Sequence, residues 1–517
     1  METENSEIGA ESSEKNEQAK ETLCAGNGRV SSAIVARPNA ASGHWLCMLL
    51  PLALASNLVH KDRCTEQFST QAMLTIAVIG MSLEFLGFIL YKHCKSSLLL
   101  KLLIAFVPGL ITALLNKILL RQSWSYGLFW GFVTTFCYQN TYMRVMRRLP
   151  GCFSYGEATV LVQGLMLFLL NVVLKIPNIF FLTQVRSEFE DLNVIMMCAL
   201  FYLLTVCCLL ASANTFQKPV YFYPLMLLLV IAVTCTPITK PIPIITLLKF
   251  ILRDEVRLKI ICFYFALVVL TVLIVWWQTG SEGKASTRLR KIFHFLIVLV
   301  YVPGLTYQCS FLYIASGVAF AIFTVLELIR ICNVYPLADA LGRAFGSFSD
   351  EKDAGILALT PFCLLIGCSL PMWISPCPCG LNVYTSENPR ILPLLAGVLT
   401  IGFGDTAASV VGSKFGRIKW RNSNKSLEGT LAFVLITTLA IVCFNYFGLI
   451  TMSTSKWLTA GIATVTTALV EAHTDQIDNL TLPIIFYIIA MANFRLFFCH
   501  EKAFHKKQLS FGVGLKL

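Results

Sequence analysis

The run Ile260–Trp277, IICFYFALVVLTVLIVWW, contains no charged residue. It lacks the strict alternation of a half-buried strand, and it approaches the about 20 mostly apolar residues that a helix needs to cross a bilayer. Working outward from it, comparable runs recur toward both ends. On the N-terminal side lie Trp45–Val59, Ala72–Tyr91, Leu98–Leu120, Tyr126–Tyr138, Ala158–Leu174, Val194–Ala211 and Val220–Ile238. On the C-terminal side lie Ile292–Tyr307, Phe311–Leu328, Gly355–Ile374, Ile391–Val411, Leu431–Ile450, Trp457–Val470 and Leu482–Phe497.

Composition agrees with this pattern. Of 517 residues, 56% are hydrophobic and 14% charged, and the mean hydropathy is +0.70. About 290 apolar positions furnish the bulk of some twelve to fifteen spans. An ordinary soluble enzyme is excluded, and so is a transmembrane barrel, whose strands read as short alternating segments. The expected fold is an all-α polytopic membrane protein, a bundle of about 13 to 15 transmembrane helices. Residues 1–43 are polar, have no apolar h-region and read as a disordered tail. Residues 44–280 form an N-terminal group of helices, 281–500 a C-terminal group with charged loops, and 501–517 a short tail.

The net charge of +12 comes from 41 Lys and Arg against 29 Asp and Glu, mostly in short loops beside apolar runs, which is the pattern that orients helices in a bilayer. No zinc-finger spacing, RNP-type motif or separate basic helix points to nucleic acid. The 19 cysteines lie largely inside apolar runs, as do Cys207 and Cys208, and do not read as a disulfide framework. Cys377 and Cys379 flank Pro378, with too few neighbouring ligands for a zinc site. Lys284, Arg288, Arg290 and Lys291 place the loop before Ile292 in the cytosol. Counting crossings from there returns 330–352, 414–425 and 471–478 to the same side. It sends the basic tail Lys502–Lys507 to the lumen, so one late segment is expected not to cross.

The stretch 401–430, IGFGDTAASVVGSKFGRIKWRNSNKSLEGT, carries the chemistry. At helical spacing Gly404, Ala408 and Gly412 form a small-residue stripe that admits a second backbone. Asp405, Ser409 and Ser413 form the adjacent polar stripe. An aspartate at membrane level is a functional candidate by default, and a carboxylate there suits Mg²⁺, which is commonly shared between one or two carboxylates and substrate phosphates. The loop beyond it brings Lys414, Arg417, Lys419, Arg421 and Lys425, with Gly412, Gly416 and Gly429 allowing tight turns; backbone N–H groups and basic heads together suit a polyphosphate. The alternative is an orienting loop behind a packing stripe. No Walker loop and no kinase HRD or DFG set is present.

The run GDTAASVVGSKFG, followed by NKSLEGT, resembles the nucleotide-binding signature of the polyprenol kinase family, to which dolichol kinases belong. Similar stretches are FSYGEATVLVQGL at 153–165, RKIFHFL at 290–296, LELIRI at 326–331, LLIGCSLPMW at 364–373 and EAHTDQIDNLTLP at 471–483. The resemblance spans about 151–498 and is strongest beyond Thr287. It implies a CTP-dependent lipid kinase, multi-pass in the endoplasmic reticulum membrane, that converts dolichol to dolichyl phosphate for protein glycosylation. On that reading 402–430 is a cytosolic CTP-binding loop within a catalytic region 281–500. Gly404, Ser409, Gly412, Ser413, Lys414, Gly416, Arg417, Lys419, Arg421, Lys425, Ser426, Glu428 and Gly429 would meet the nucleotide. Asp405 and His294 would be catalytic, and Asp405, Glu471 and Asp478 would hold Mg²⁺.

Other charged residues carry two readings each. Arg290 and His294 share a helix face; Arg290 and Lys291 read as snorkelling, orienting residues, and the resemblance moves His294 toward a phosphate or catalytic role. Glu327 and Arg330 are spaced to pair. Asp350, Glu351 and Asp353 are either further metal ligands or a solvated turn. Glu471 and Asp475 lie four apart and Asp478 continues their face one turn on, so this cluster could complete the Mg²⁺ site. Glu157 and Gln163 suit a polar contact between helices. Two rival functions are weighed against the kinase. Cytidylyl transfer to a membrane lipid is suggested by a distant similarity to phosphatidate cytidylyltransferases, and the absence here of the His-Gly-Gly element and the DRxD ending of that family's signature counts against it. A transporter lined by Asp405 and Glu327 should show paired, broken halves, and no internal repeat is visible.

Overall fold

The computed structural model describes residues 34–491 apart from 39, 60–64, 94–97, 181–187, 236–238, 240–241, 281–284, 350–351, 354, 376–378, 380–390 and 422. Among these residues the chain is helical, and its only extended pairing is an isolated antiparallel bridge between Lys419 and Ser426. The helices of the N-terminal group are α1 His44–Val59, α2 Thr65–His93, α3 Leu98–Leu120, α4 Trp124–Arg148, α5 Tyr155–Phe180, α6 Glu188–Ser212, α7 Pro219–Cys235, α8 Pro243–Leu252 and α9 Glu255–Thr279. The C-terminal group is α10 Thr287–Tyr307, α11 Cys309–Ile331, α12 Ala338–Phe348, α13 Leu359–Ile374, α14 Thr406–Phe415, α15 Leu427–Tyr446, α16 Thr454–His473 and α17 Asp478–Met491.

Within the described residues eight helices, α2, α3, α5, α6, α9, α10, α11 and α15, are long and apolar enough to cross a membrane, and α1, α7, α8, α13 and α17 are shorter apolar helices. The expected spans at Tyr126–Tyr138 and Trp457–Val470 became α4 and α16, which are 25 and 20 residues long but not apolar enough to count among them. α4 is rich in hydroxyl and amide side chains and α16 in hydroxyls, and Thr464 and Thr467 of α16 are fully buried inside the bundle. The opposite case is α9, where Phe265 is 70% and Trp276 75% exposed. Large apolar groups that would be costly in water are at home against lipid tails, which are as apolar as leucine.

The apolar run Ile391–Val411 is not one regular helix. After a short turn at Ile391–Leu394, residues Val398–Asp405 form a π-helix that passes directly into α14. The Thr406 hydroxyl donates to the Ile401 carbonyl at 3.1 Å, five residues back. Wide turns of this kind are rare and concentrate at functional sites; this one ends on Asp405.

Three further expectations change. Residues 34–38 and 40–43, read as part of a disordered tail, are an ordered arm laid across the start of α5. The arm is pinned by Arg37 N–H to Phe153 O at 2.8 Å, Gly151 N–H to Val35 O at 3.0 Å and Gly156 N–H to Ser42 O at 3.0 Å. Ile34 and Ala36 pack on the core, and a Cβ on Gly156 would stand 1.8 Å from the Gly43 carbonyl oxygen, so only glycine lets the arm pass there. The continuous acidic face from Glu471 to Asp478 is broken, because α16 ends at His473 and α17 begins at Asp478. Finally, Cys309 and Cys379 form a disulfide, with Cα atoms 5.5 Å apart. It ties the first residue of α11 to the loop after α13, a tertiary contact that no spacing announces.

Glu327 and Arg330 pair as their spacing predicts, through two hydrogen bonds of 2.8 and 2.6 Å. Glu327 also accepts from Ala358 N–H at 2.8 Å, and Arg330 donates to the Ile356 carbonyl, so the pair fastens α11 to the approach to α13. The Glu327 side chain is only 4% exposed. Arg330→Ala strands a buried carboxylate and is expected to destabilise the protein by about 3–5 kcal/mol, read as a lowered thermal midpoint in detergent, whereas Glu327→Gln paired with Arg330→Met should recover most of the loss. An unchanged midpoint in the single variant would count against this fastening role.

Candidate functional site

The cluster begins at Asp405, held 5% exposed at the junction of the π-helix and α14. Its Oδ2 receives the Lys291 ammonium from the first half of α10 and lies 3.4 Å from His294 Nε2, one turn further along the same helix. Lys291 therefore turns inward and does not snorkel. His294 is buried, and its Nδ1 has no hydrogen-bond partner. Arg290 is half-buried one turn before His294.

A second group faces the first. Lys425, at the base of the loop leading into α15, pairs with Glu471 near the end of α16 and lies 3.8 Å from Asp478 Oδ2 at the start of α17. Asp478 also receives Lys352 Nζ at 2.8 Å, and Lys352 donates to the Gln476 carbonyl at 3.0 Å. Burial alone would push the Lys425 ammonium down, but the Asp478, Glu471 and Asp405 carboxylates outweigh it and hold it above the usual lysine range. It stays charged at any physiological pH. The site thus alternates three carboxylates, Asp405, Glu471 and Asp478, with three ammonium groups, Lys291, Lys425 and Lys352.

The loop between α14 and α15 is a hairpin. Trp420 N–H donates to Lys425 O at 3.0 Å and Leu427 N–H to Ile418 O at 2.8 Å. Its crossing with α14 explains the small residues: Gly404 lies against the Phe433 ring, and Gly412 and Gly429 face one another, where a Cβ on Gly429 would sit 3.0 Å from the Ala408 carbonyl oxygen. Ser426 caps α15 by accepting from Gly429 N–H at 3.2 Å. Glu428 accepts from the Arg417 and Ile418 N–H groups at 3.0 and 3.1 Å, so it pins the loop backbone from within. Trp420 donates to Thr430 Oγ1 at 2.9 Å and lies against the His473 ring, seating the hairpin on α16.

Of the expected basic contacts, Lys425 alone points into the cluster; Lys414, Arg417, Lys419 and Arg421 are exposed along the rim, and Lys419 donates to Asn424 O at 2.8 Å. Gly416 packs against Ser426, Ser409 is half-buried, and Ser413 is exposed and donates to Val410 O at 3.1 Å. Asp353 accepts from Thr360 N–H and Oγ1 at 2.9 and 2.7 Å and so caps α13. Asp350 and Glu351 lie outside the described residues. Lys352 and Arg37 escaped the sequence reading. Lys352 is hidden in an acidic turn, and the only trace of the arm was the apolar Ile34-Val35-Ala36 ahead of Arg37.

No three His, Cys, Asp or Glu groups among the described residues converge as an all-protein metal cage. The donor set still fits a hard divalent cation that arrives with phosphates and takes one or two carboxylates from the protein. Asp478 Oδ1 is buried without a hydrogen-bond partner in the protein, which leaves it able to accept from a cation or a water.

A family model described as dolichol kinase matches residues 132–364. The chain is 33% identical over 375 residues to the dolichol kinase of Bos taurus, an alignment covering 69% of this chain and 68% of that protein. It is 34% identical over 376 residues to the dolichol kinase of Mus musculus, with the same coverage of 69% and 68%. The chain belongs to the dolichol kinase family. This member is also similar to the phytol kinase of Synechocystis, at 36% identity over 108 residues that cover 20% of this chain and 45% of that one. No solved structure matches the dolichol kinase family member described here. The family model takes in Lys291, His294 and Lys352 and stops short of Asp405, Lys425, Glu471 and Asp478.

Proposed function

We propose that this protein is a CTP-dependent dolichol kinase of the endoplasmic reticulum membrane, which transfers the γ-phosphoryl group of CTP to the terminal hydroxyl of dolichol and supplies dolichyl phosphate for protein glycosylation. The observation that carries the reading is the facing pair of polar groups, Asp405 with Lys291 and His294, and Lys425 with Glu471 and Asp478. The lipid substrate comes from the names of the relatives, and CTP from the resemblance of GDTAASVVGSKFG and NKSLEGT to the family's nucleotide signature.

Phosphoryl transfer asks a protein mainly for positioning and for charge placed on phosphate oxygens. Lys425 and Lys291 offer fixed cations inside the site, and Lys414, Arg417, Lys419 and Arg421 offer solvated ones at its rim. A divalent ion such as Mg²⁺ would take one or two of Asp405, Glu471 and Asp478 as ligands and would neutralise phosphate charge. His294, oriented through Nε2 by Asp405, has Nδ1 available to accept the alcohol proton. The alcohol oxygen then bonds to the γ-phosphorus, the bond from that phosphorus to the bridging oxygen breaks, and CDP leaves. Cys309 and Cys379 support the sidedness: disulfides persist in oxidising compartments, and this one lies at the opposite end of α10 from Lys291. A luminal bridge and a cytosolic polar cluster follow the same parity as the positive loops.

The test uses purified protein in detergent with dolichol, Mg²⁺ and CTP labelled at the γ- or the α-phosphate. Label entering the lipid from γ-CTP alone is expected. Label from α-CTP alone would make the protein a cytidylyltransferase, and no transfer to several lipid alcohols would reopen the transporter reading.

A further inference from the structure

We infer that Arg37, on the arm that precedes α1, is a positioning residue for the turn between α16 and α17, and through it for the carboxylates that face Lys425. This rests on the kinase reading for its consequence and on geometry alone for its mechanism.

The turn 474–477 separates Glu471, three residues before it, from Asp478, the residue after it. Four contacts hold it from the arm and from the start of α5. The Arg37 guanidinium donates to the Asp475 carbonyl at 3.2 Å, and Gln476 Nε2 donates to the Ala41 carbonyl at 2.8 Å. Ser154 Oγ donates to Gln476 Oε1 at 2.5 Å, and Glu157 Oε1 accepts from Ile477 N–H at 2.9 Å. The same Glu157 oxygen receives Arg37 at 2.7 Å, with the two side chains 3% and 0% exposed. Glu157 Oε2 is taken by Ser154 N–H at 2.9 Å.

Arg37 thus makes two connections at once: it neutralises the carboxylate that holds the Ile477 amide, and it grips the carbonyl two residues earlier. Asp478 follows Ile477 directly, and it carries the unpartnered buried Oδ1. Lys352 holds the other oxygen of this carboxylate, and the backbone before it is set by the neighbours that fix the turn, so those neighbours decide where Oδ1 stands. Arg37 touches neither Asp405 nor Lys425 in any contact of the cluster, so its influence passes through the turn. The arm is held independently by its backbone hydrogen bonds to 151–156, so the guanidinium can be altered without removing the whole arm.

Both bonds are donated by the guanidinium Nη2, and Arg37→Lys keeps the charge opposite Glu157 but ends one bond short of that nitrogen, so it cannot reach both partners from the same place. The full chain in detergent is compared with wild type in two measurements. In hydrogen exchange, amides of 474–478 are expected to exchange at least several-fold faster in the variant, with α15 unchanged as the internal control. In the labelled-CTP assay, kcat is expected to fall about 10- to 100-fold, with the KM for dolichol within two-fold and the thermal midpoint nearly unchanged. Unaltered exchange at 474–478 would overturn the proposal, and so would a loss of activity that merely tracks a loss of folded protein. Arg37→Ala paired with Glu157→Gln removes both buried charges; continued fast exchange in that folded double variant, with kcat still low, supports positioning over simple charge balance, and recovery of both to wild type overturns it. If wild-type protein phosphorylates no lipid, the kinase reading fails, while the exchange measurement still decides the clamp.

Discussion

Asp405→Asn is expected to reduce phosphoryl transfer by about 10³-fold, within the range found when a positioned acid–base group is lost, while the protein remains inserted and monodisperse in detergent. Asparagine keeps the volume and planar shape of the side chain but removes the charge. The Lys291 ammonium, now facing an amide, loses its counter-ion, and His294 loses the carboxylate that orients Nε2. Both losses act on the reacting end of the site, so kcat should carry the effect and the nucleotide KM should move less. Rates are to be measured with γ-labelled CTP and dolichol on protein of matched monodispersity. Activity within a few-fold of wild type would remove Asp405 from the mechanism, and with it the orientation argument for His294.

Lys425→Met is expected to act differently. Its ammonium stands between Glu471 and Asp478; loss of this cation leaves Glu471 without a counter-ion and Asp478 with Lys352 alone, so net negative charge faces the space assigned to phosphates. Repulsion then opposes binding of a polyanion, so kcat/KM for CTP should drop about 100-fold, as expected for loss of a charge clamp on a transferring phosphoryl group. The KM for dolichol should stay within two-fold. Lys425→Arg retains the charge in a larger, planar head and should recover part of the loss. Because the folded protein holds the Lys425 ammonium above the usual lysine range, any fall in wild-type activity between pH 6 and 9 belongs to another group. An unchanged apparent CTP affinity in Lys425→Met would detach this residue from the nucleotide.

The features legible in sequence are those written locally. Apolar runs announced most helices, the three-residue spacing announced the pair of Glu327 with Arg330, and a lone aspartate beside small residues announced Asp405. The small-residue stripe Gly404, Ala408 and Gly412 also predicted a close backbone crossing, and α15 is the helix that makes it. What escaped was set by partners far apart in the chain. Arg37 and Glu157 are 120 residues apart, and Cys309 and Cys379 are 70 apart, so neither leaves a periodic trace. Lys291 looked like a snorkelling lysine because its counter-ion arrives from another helix. The acidic face from Glu471 to Asp478 failed because periodicity presumes an unbroken helix, and the turn 474–477 is held by tertiary hydrogen bonds instead. Glu428 looked like a nucleotide contact within its motif, yet its carboxylate is occupied by two backbone amides of its own loop.

The bridge between Cys309 and Cys379 has a practical meaning for work on intact vesicles. His294 and Cys309 are separated by fifteen residues of nearly continuous helix, a rise of about 22 Å, which is most of a hydrocarbon core. One rod therefore carries the polar cluster near one end and abuts an oxidised sulfur pair at the other, and on the proposed topology the two ends answer to different solutions. In sealed vesicles with the native cytosolic face outward, a membrane-impermeant phosphine should leave the bridge intact until the bilayer is opened, while an impermeant amine-acylating reagent should reach Lys414 from the start. The protein would then report its own orientation, with no tag or fusion added.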